Sequence, residues 1–431
     1  MSHSAAAVGG GRGHTVAYVM SRFPKLTETF VLDEMVQLTR NGWIVKIFPL
    51  WREPAELVHD DALAWVQVAQ FLPHVSIEIL IDNLYWMYRQ PRRYFSALWN
   101  VVLCNISSPR FLTGALAAFP KAGTMARRMQ SQGVEHVHAH FASHPAAIVY
   151  VVNKLTDIPW SFTAHGSDLH REQAMLAEKV SSAKFAVAIS EFNKRVILKH
   201  CAARDAKKIK VLHCGVDLSK FKLTPADAEQ KAVDPAGDAL RDNKASELIN
   251  IVCIGTLHEV KGQAFLIRAC AQLEQSNWQC HFIGDGEDRT QLELLAATLG
   301  LTDRVVFHGQ CTRDKVRELL QQMTLACAPS VPTSDGRREG IPVALMEAAA
   351  AQLPLVASNL SGIPELVVHE ETGLLTVVAD VESIASAINR LVQDPDLRDR
   401  LGKACREKIE REFSLASNVS MLQELILEPA T

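Results

Sequence analysis

Glu339 and Glu347 stand eight residues apart, with Gly340, Ile341, Pro342 and Val343 following the first of them. Gly340 and Pro342 mark a loop that turns into a helix, because proline is tolerated in a first helical turn. From Val343 onward the run is rich in Ala, Leu and Met and is helix-forming. Glu339 then precedes the helix beside its free N–H groups, and Glu347 lies one to two turns in. A helix N-terminus that glycine lets a ligand approach closely is an anion site. A carboxylate on each side of it could hold neutral hydroxyls while the helix end holds a phosphate, which suits a sugar nucleotide. The same nine residues read equally well as a dipole-matching glutamate followed by a solvated helix glutamate.

Three further stretches carry groups able to do chemistry. Thr163-Ala164-His165-Gly166-Ser167-Asp168 follows a strand, and Gly166 allows a tight turn that leaves His165 and Asp168 at the strand's carboxyl end. His165 could bond a sugar hydroxyl, while Asp168 could orient it or cap the next helix. Gly255-Thr256-Leu257-His258-Glu259-Val260-Lys261-Gly262 links a strand to a helix and can bring Thr256, Lys261 and a helix N-terminus toward a diphosphate. It is neither a Walker loop nor G-x-G-x-x-G, so adenylate and dinucleotide readings gain little. Gly284-Asp285-Gly286 reads foremost as a turn. Ser21–Thr29 sits at the lip of the first strand, where Arg22 and Glu28 could recognise an acceptor, or Thr27 or Thr29 could simply cap a helix. His136, His138, His140 and His144 alternate along a strand, but with no Cys or carboxylate at usual zinc spacing a metal site is not expected.

The elements that must position these groups come in two series. Apolar strand-like runs at Thr15–Met20, Ile44–Leu50, His136–Phe141, Trp160–Ala164, Ala186–Ser190 and Ile209–Leu212 alternate with helical segments such as Thr29–Arg40 and Pro145–Leu155. The alternation restarts at Asn250–Gly255 and continues through Gln279–Ile283, Arg304–His308, Leu325–Pro329 and Leu355–Ser358. Helices are expected between them at Gln263–Leu273, Arg289–Leu299 and Asp314–Gln321. Short apolar strands alternating with longer helices indicate an α/β protein with doubly wound parallel sheets. Two such domains would face each other across a cleft, with ligands at the carboxyl ends of the strands. The expected layout is a disordered leader over residues 1–13, a first domain over 14–221 and a polar insertion over 222–247. A second domain follows over 248–405, and a segment over 406–431 returns to the first.

Composition narrows the classes further. At 431 residues, 48% hydrophobic and 22% charged, the chain is an ordinary globular protein of two domains' size. A net charge of −3 argues against nucleic-acid binding. Nine scattered cysteines, several inside apolar strands, read as reduced buried thiols in a cytoplasmic protein. No apolar run is long enough to span a membrane. One segment stands apart. From Asn83 to Val134 there is no Asp or Glu, whereas Arg89, Arg92, Arg93, Arg110, Lys121, Arg127 and Arg128 are interleaved with aromatic residues. Such a surface suits peripheral contact with an anionic membrane at its inner face. An aromatic core beneath solvated arginines is the other reading.

Taken in order, these residues resemble the retaining family-4 glycosyltransferases of the GT-B fold, in the branch that builds colanic acid and other bacterial exopolysaccharides. The likeness covers nearly the whole chain, from Phe23-Pro24…Glu28-Thr29-Phe30 and His138-Ala139-His140-Phe141 through the stretches above to Gly362-Ile363-Pro364-Glu365…Thr372-Gly373. The resemblance implies that Glu339 contacts donor-sugar hydroxyls, that the Gly340–Val343 backbone, including Ile341 and Pro342, holds sugar and phosphate, and that Glu347 binds the ribose. It implies that Lys261 neutralises the leaving diphosphate, His165 binds the transferred sugar, and Gln310 or Cys311 contacts the base of a UDP- or GDP-sugar. The acceptor would be a saccharide or lipid-linked saccharide, with no cofactor and no metal, and no Asp-x-Asp metal motif is read.

One departure matters. The family usually has Gly-Arg where this chain has Gly255-Thr256, and that arginine assists the lysine at the diphosphate. Thr256 carries no charge, so Arg22, Arg337 or Arg338 must substitute, a different donor is used, or activity is low; Arg337-Arg338, directly before Glu339, is the preferred substitute. A sugar-nucleotide 2-epimerase on the same fold and a non-catalytic sugar-nucleotide-binding partner are the alternatives.

Overall fold

Val16-Ala17-Tyr18-Val19-Met20 is an unbroken run of large apolar residues, and a strand buried on both faces needs such a run. In the computed structural model it is the centre of β1 (Thr15–Phe23), with every one of these side chains buried. The structure describes residues 13–25, 28–53, 60–170, 173–221 and 248–429. Apart from Gly13, the expected leader and the expected insertion lie outside the described residues, as does Thr27.

The first unit is built on β1, β2 (Ile44–Arg52), β3 (His136–His140), β4 (Trp160–Ala164), β5 (Phe185–Ala188) and β6 (Ile209–Val211). All pairings are parallel, in the order β2-β1-β3-β4-β5-β6. Its helices begin with α1 (Thr29–Arg40), α2 (Asp60–Val68), α3 (Ile77–Arg89), α4 (Pro91–Asn105), α5 (Pro109–Ser131) and α6 (His144–Thr156). Ser76 and Ser108 cap α3 and α5 by accepting from Ile79 N and Phe111 N, and Pro91 and Pro109 occupy first turns. The second unit carries β7 (Ile249–Ile254), β8 (Trp278–Ile283), β9 (Val305–Gly309), β10 (Leu325–Ala328), β11 (Leu355–Ser358) and β12 (Leu374–Thr376). These are again parallel, in the order β12-β11-β10-β7-β8-β9. The short edge strand β12 is absent from the sequence reading, because Leu-Leu-Thr is too brief to show a period.

Strand order fixes where ligands can enter. In a doubly wound sheet the connections diverge at one point, leaving a crevice beyond the strand ends. That point lies between β1 and β3 in the first unit and between β7 and β10 in the second.

The domain boundaries need correction. The chain divides after His213 and again before Leu415, so residues 214–414 form the second unit. The expected end at 221 fails because Cys214, Val216, Leu218 and Phe221 pack into the core of the second unit beside Phe413. Val216 N also donates to Phe413 O at 2.9 Å. Nor does the returning segment start at 406. Helix Pro395–Glu412 buries Leu401, Cys405 and Ile409 in the second unit, and only helix Leu415–Leu427 packs on the first, with Leu415, Val419 and Leu422 in its core.

Candidate functional site

Lys261 and Glu339 come from loops 78 residues apart and meet at the switch point of the second unit, with Lys261 Nζ 2.7 Å from Glu339 Oε2. Glycine makes the approach possible. Gly262 has φ +69°, and a Cβ there would overlap the Pro329 carbonyl, so only glycine lets the loop after β7 lie against the loop after β10. Val331 N donates to Val260 O at 3.0 Å across the same seam. Gly255, with φ +148°, leaves room for the Lys261 stem, and a Cβ there would stand 2.9 Å from Cε. The ion pair edges a small, open pocket lined among others by Cys253, Cys327, Ser330, Pro342 and Leu345.

Helix Val343–Ala350 starts at this pocket. Pro342 is its N-cap rather than part of its first turn, with φ −63° and ψ 126°, and has no side-chain hydroxyl to occupy the free N–H groups. Buried Leu345, Met346, Ala348, Ala349 and Ala350 anchor the helix in the core, so its N-terminus is held in place. Glu347 lies on the second turn, half-buried. Ser330, which the sequence reading missed, is buried in the pocket wall, and its hydroxyl has no hydrogen-bond partner among the described residues. Its only sequence signal was a position two residues past β10.

Other donor-side residues fall as follows. Thr256 is exposed, and its carbonyl accepts from Gln263 Nε2 at 3.0 Å. Gln310 is exposed just beyond β9, whereas Cys311 packs against the core and burial pushes its thiol up. Arg338 is exposed, but Arg337 turns toward the Lys261 loop and brings Nη1 within 3.1 Å of His258 Nε2. His258 Nδ1 accepts from Val260 N, which leaves its proton on Nε2, facing Glu287 at 3.3 Å. The Arg337 approach is therefore a contact of donors and not a hydrogen bond. The chain does hold one Asp-x-Asp string, Asp394-Pro395-Asp396, contrary to the sequence reading; Asp394 caps a helix there by accepting from Leu397 N at 2.9 Å.

The first unit gathers a second set of groups at its own switch point. His165 is half-buried among Phe30, Phe141 and His140, with ring centroids 4.5, 4.6 and 5.3 Å away. Burial, then the neighbouring His140 and His138, hold its pKa well below the ordinary value, so the ring is neutral. His165 Nε2 lies 3.1 Å from His140 Nδ1, and His140 Nε2 lies 3.2 Å from Glu34 Oε1, off the line of a good hydrogen bond. Glu34 also accepts from Tyr18 OH at 2.5 Å. Burial alone would raise the Glu34 carboxyl, but His140, His138 and Tyr18 more than offset it and lower its pKa. A carboxylate facing His140 Nε2 places the proton there, so Nδ1 accepts from His165 Nε2–H and the His165 lone pair sits on Nδ1.

Glu34, on the second turn of α1, thus joins the histidines that the sequence left without a carboxylate. One ligand atom each from Glu34, His138 and His140 lies within 4.8 Å of the others. Their donors are already engaged: His138 bonds Ser161 Oγ at 2.7 Å and Thr163 Oγ1 at 2.9 Å, and a metal would displace these bonds and that of Tyr18.

Asp168 accepts from Ala142 N at 2.5 Å, Gly166 N at 2.8 Å and His165 N at 3.0 Å. It ties the ends of β3 and β4 together and so sets where His165 sits. Glu28 is nearly buried and pairs with Lys25 at 2.6 Å, and burial raises its pKa despite that lysine. Arg22, by contrast, is exposed and pairs with Glu53 at 3.0 Å.

Residues 27–220 match the family described as Glycosyltransferase Family 4, and residues 240–408 match Glycosyl transferases group 1. The chain belongs to the family-4 glycosyltransferases. It is 30% identical over 271 residues to the amylovoran biosynthesis glycosyltransferase AmsK of Erwinia amylovora, a match spanning 61% of this chain and 62% of AmsK. It is 25% identical to WcaL of Escherichia coli K12, named for colanic acid biosynthesis, over 93% of this chain and 96% of WcaL. Among solved structures, Anabaena HepE in complex with UDP superposes with a TM-score of 0.70 at 16% identity, covering 95% of this chain and 98% of HepE. That likeness establishes the GT-B fold of this glycosyltransferase.

Proposed function

We propose that this glycosyltransferase moves a sugar from a UDP- or GDP-sugar to a saccharide acceptor in bacterial exopolysaccharide biosynthesis, with retention at the anomeric carbon and without a metal. The observation that carries the donor side is the Lys261–Glu339 pair beside the open N-terminus of helix Val343–Ala350. A cation, free N–H groups and a carboxylate within one pocket match a diphosphate joined to a neutral sugar. Support for the pathway comes from the names of AmsK and WcaL, and for the nucleotide from the UDP in HepE.

In this reading Lys261 and the N–H groups after Pro342 stabilise charge on the departing diphosphate, as preorganised donors do at developing charges. Glu339 holds sugar hydroxyls, Glu347 holds the ribose, and Thr256, Gln310 and Cys311 lie toward the nucleotide. Ser330 adds a hydroxyl to the pocket wall. Arg337, turned toward the Lys261 loop, supplies the positive charge missing at Thr256. In the first unit His165 receives the transferred sugar, its loop set by Asp168, and Glu28 and Arg22 serve the acceptor. The bond from the anomeric carbon to the phosphate oxygen breaks, the bond to the acceptor oxygen forms on the same face, and the acceptor proton passes to the departing phosphate. No metal is needed, so transfer persists in EDTA. Proton NMR of the product tests the stereochemistry: an anomeric configuration matching the donor supports retention, and the opposite configuration refutes it. The acceptor is a lipid-linked saccharide at the inner face of the membrane.

A further inference from the structure

The basic, aromatic stretch expected over 83–134 does not survive as one surface. Trp86 and Tyr94 are buried, and Lys121 is buried and donates to the Leu50 carbonyl at 2.6 Å. Arg127 and Arg128 are held by Asp82 and Glu78, and Arg93 by Asp157. What remains is smaller and starts earlier. Helix α3 turns Ile79, Asp82, Asn83 and Trp86 into the fold, yet its opposite face carries Ile77, Ile81, Leu84 and Tyr88. These last four follow helical spacing and stand 77%, 53%, 52% and 90% exposed. Helix α4 repeats the pattern, burying Tyr94, Ala97 and Val101 while exposing Phe95, Trp99 and, just past its end, Ile106. A solvent-facing helix surface is normally polar. Two successive helices with a second apolar face that includes Tyr88 and Trp99 form a patch that needs an occupant.

Charge identifies it. Arg89 and Arg92 flank the turn between the two helices and Arg110 follows α4; all three are exposed, and no carboxylate pairs with them among the described residues. A second copy of the chain would bring the same arginines against each other, whereas an anionic bilayer offers both hydrocarbon and countercharge. Tyr and Trp on such a face favour the headgroup level. We infer that the outer faces of α3 and α4 dock this protein on an anionic membrane surface, with their exposed apolar side chains, Tyr88 and Trp99 among them, entering the interface and Arg89 and Arg92 on the lipid phosphates. No helix among the described residues is long and apolar enough to cross a membrane, so the contact is interfacial. Binding is read without any transfer assay, so this inference and the donor reading stand or fall separately.

The test is flotation of the full-length protein with vesicles of phosphatidylcholine alone or with one quarter phosphatidylglycerol. The wild type floats with the anionic vesicles at low salt and is released by high salt. Removing each arginine by Arg89→Gln or Arg92→Gln weakens binding about fivefold, and Tyr88→Ser with Trp99→Ser abolishes it. Because these side chains are exposed, the variants keep the wild-type melting temperature, and a lowered one shows instead that the face supports the fold. Failure of the wild type to float overturns the inference, as does equal flotation by the variants. A concentration-dependent dimer that Trp99→Ser dissociates, with no vesicle binding, would assign the face to a second copy.

Discussion

Replacing Lys261 with Met separates catalysis from structure at the centre of the pocket. The Lys261 and Glu339 side chains are about one-fifth exposed and their charged atoms are 2.7 Å apart. Losing one partner of a fully buried pair costs about 3–5 kcal/mol; with water reaching both groups here, about 2 kcal/mol is expected. That lowers the melting temperature by roughly 4–8 °C for a unit of this size. The catalytic loss should be larger. Removing one preorganised donor at a developing charge costs about 2.7–4 kcal/mol, or about a hundred- to a thousandfold in kcat. The double variant Lys261→Met with Glu339→Gln tells the two effects apart. It removes both charges, so it regains much of the lost stability, but it has no cation for the diphosphate and stays inactive. The assay is steady-state transfer alongside thermal melting of the four proteins of the cycle. Transfer that recovers together with stability in the double variant refutes the catalytic role, as does a Lys261→Met enzyme that melts early yet keeps wild-type kcat.

Three further outcomes are expected. Glu34→Gln takes the charge from behind His140 and so loosens the tautomer of His165; kcat falls about ten- to a hundredfold, by analogy with partners that orient metal-bound histidines, while KM changes little, and an unchanged kcat would confine Glu34 to packing. Gly262→Ala forces a side chain onto the Pro329 carbonyl at φ +69°, so the protein loses about 1–3 kcal/mol and its affinity for nucleotide, whereas wild-type melting and binding would show that the seam can open freely. Stability should decline on acidification: burial, then His140, depresses His138 to about 3 from 6.5, so between these values the unfolded chain takes up a proton that the folded chain refuses. The folded state therefore loses about 2 kcal/mol between pH 6.5 and pH 5. Melting temperature against pH checks this, and a flat profile over that range would contradict it.

Much of this protein was legible in the sequence because strands buried on both faces are written as continuous apolar runs. Val16–Met20 and Ile251–Ile254 needed no tertiary information, and α1 begins and ends where its period says. The Leu374–Thr376 strand was not legible, since three residues carry no period and their pairing with β11 decides the matter. The domain boundary was missed because Lys222–Glu247 is the conspicuous polar break, whereas the packing boundary at His213 is set by where Val216 and Phe221 find a core. Candidate site residues split the same way. Glu339, Glu347, Lys261 and His165 advertised themselves through glycines and strand ends. Glu34 did not, because it sits in an amphipathic helix and only the tertiary fold puts it beside His140. The basic segment was misjudged for a related reason: composition counted Lys121, Arg127 and Arg128 as surface charge, and the fold buries one and pairs the other two.

The account rests on a nucleoside diphosphate being held by the Lys261–Glu339 pocket and by Glu347 on the helix that starts there. Calorimetric titration of UDP and of GDP into the wild type, Lys261→Met and Glu347→Gln tests that most directly. One of the two nucleotides should bind the wild type, with affinity at least about tenfold lower in each variant. Wild-type protein that binds neither nucleotide at millimolar concentration, or variants that bind as the wild type does, would contradict it.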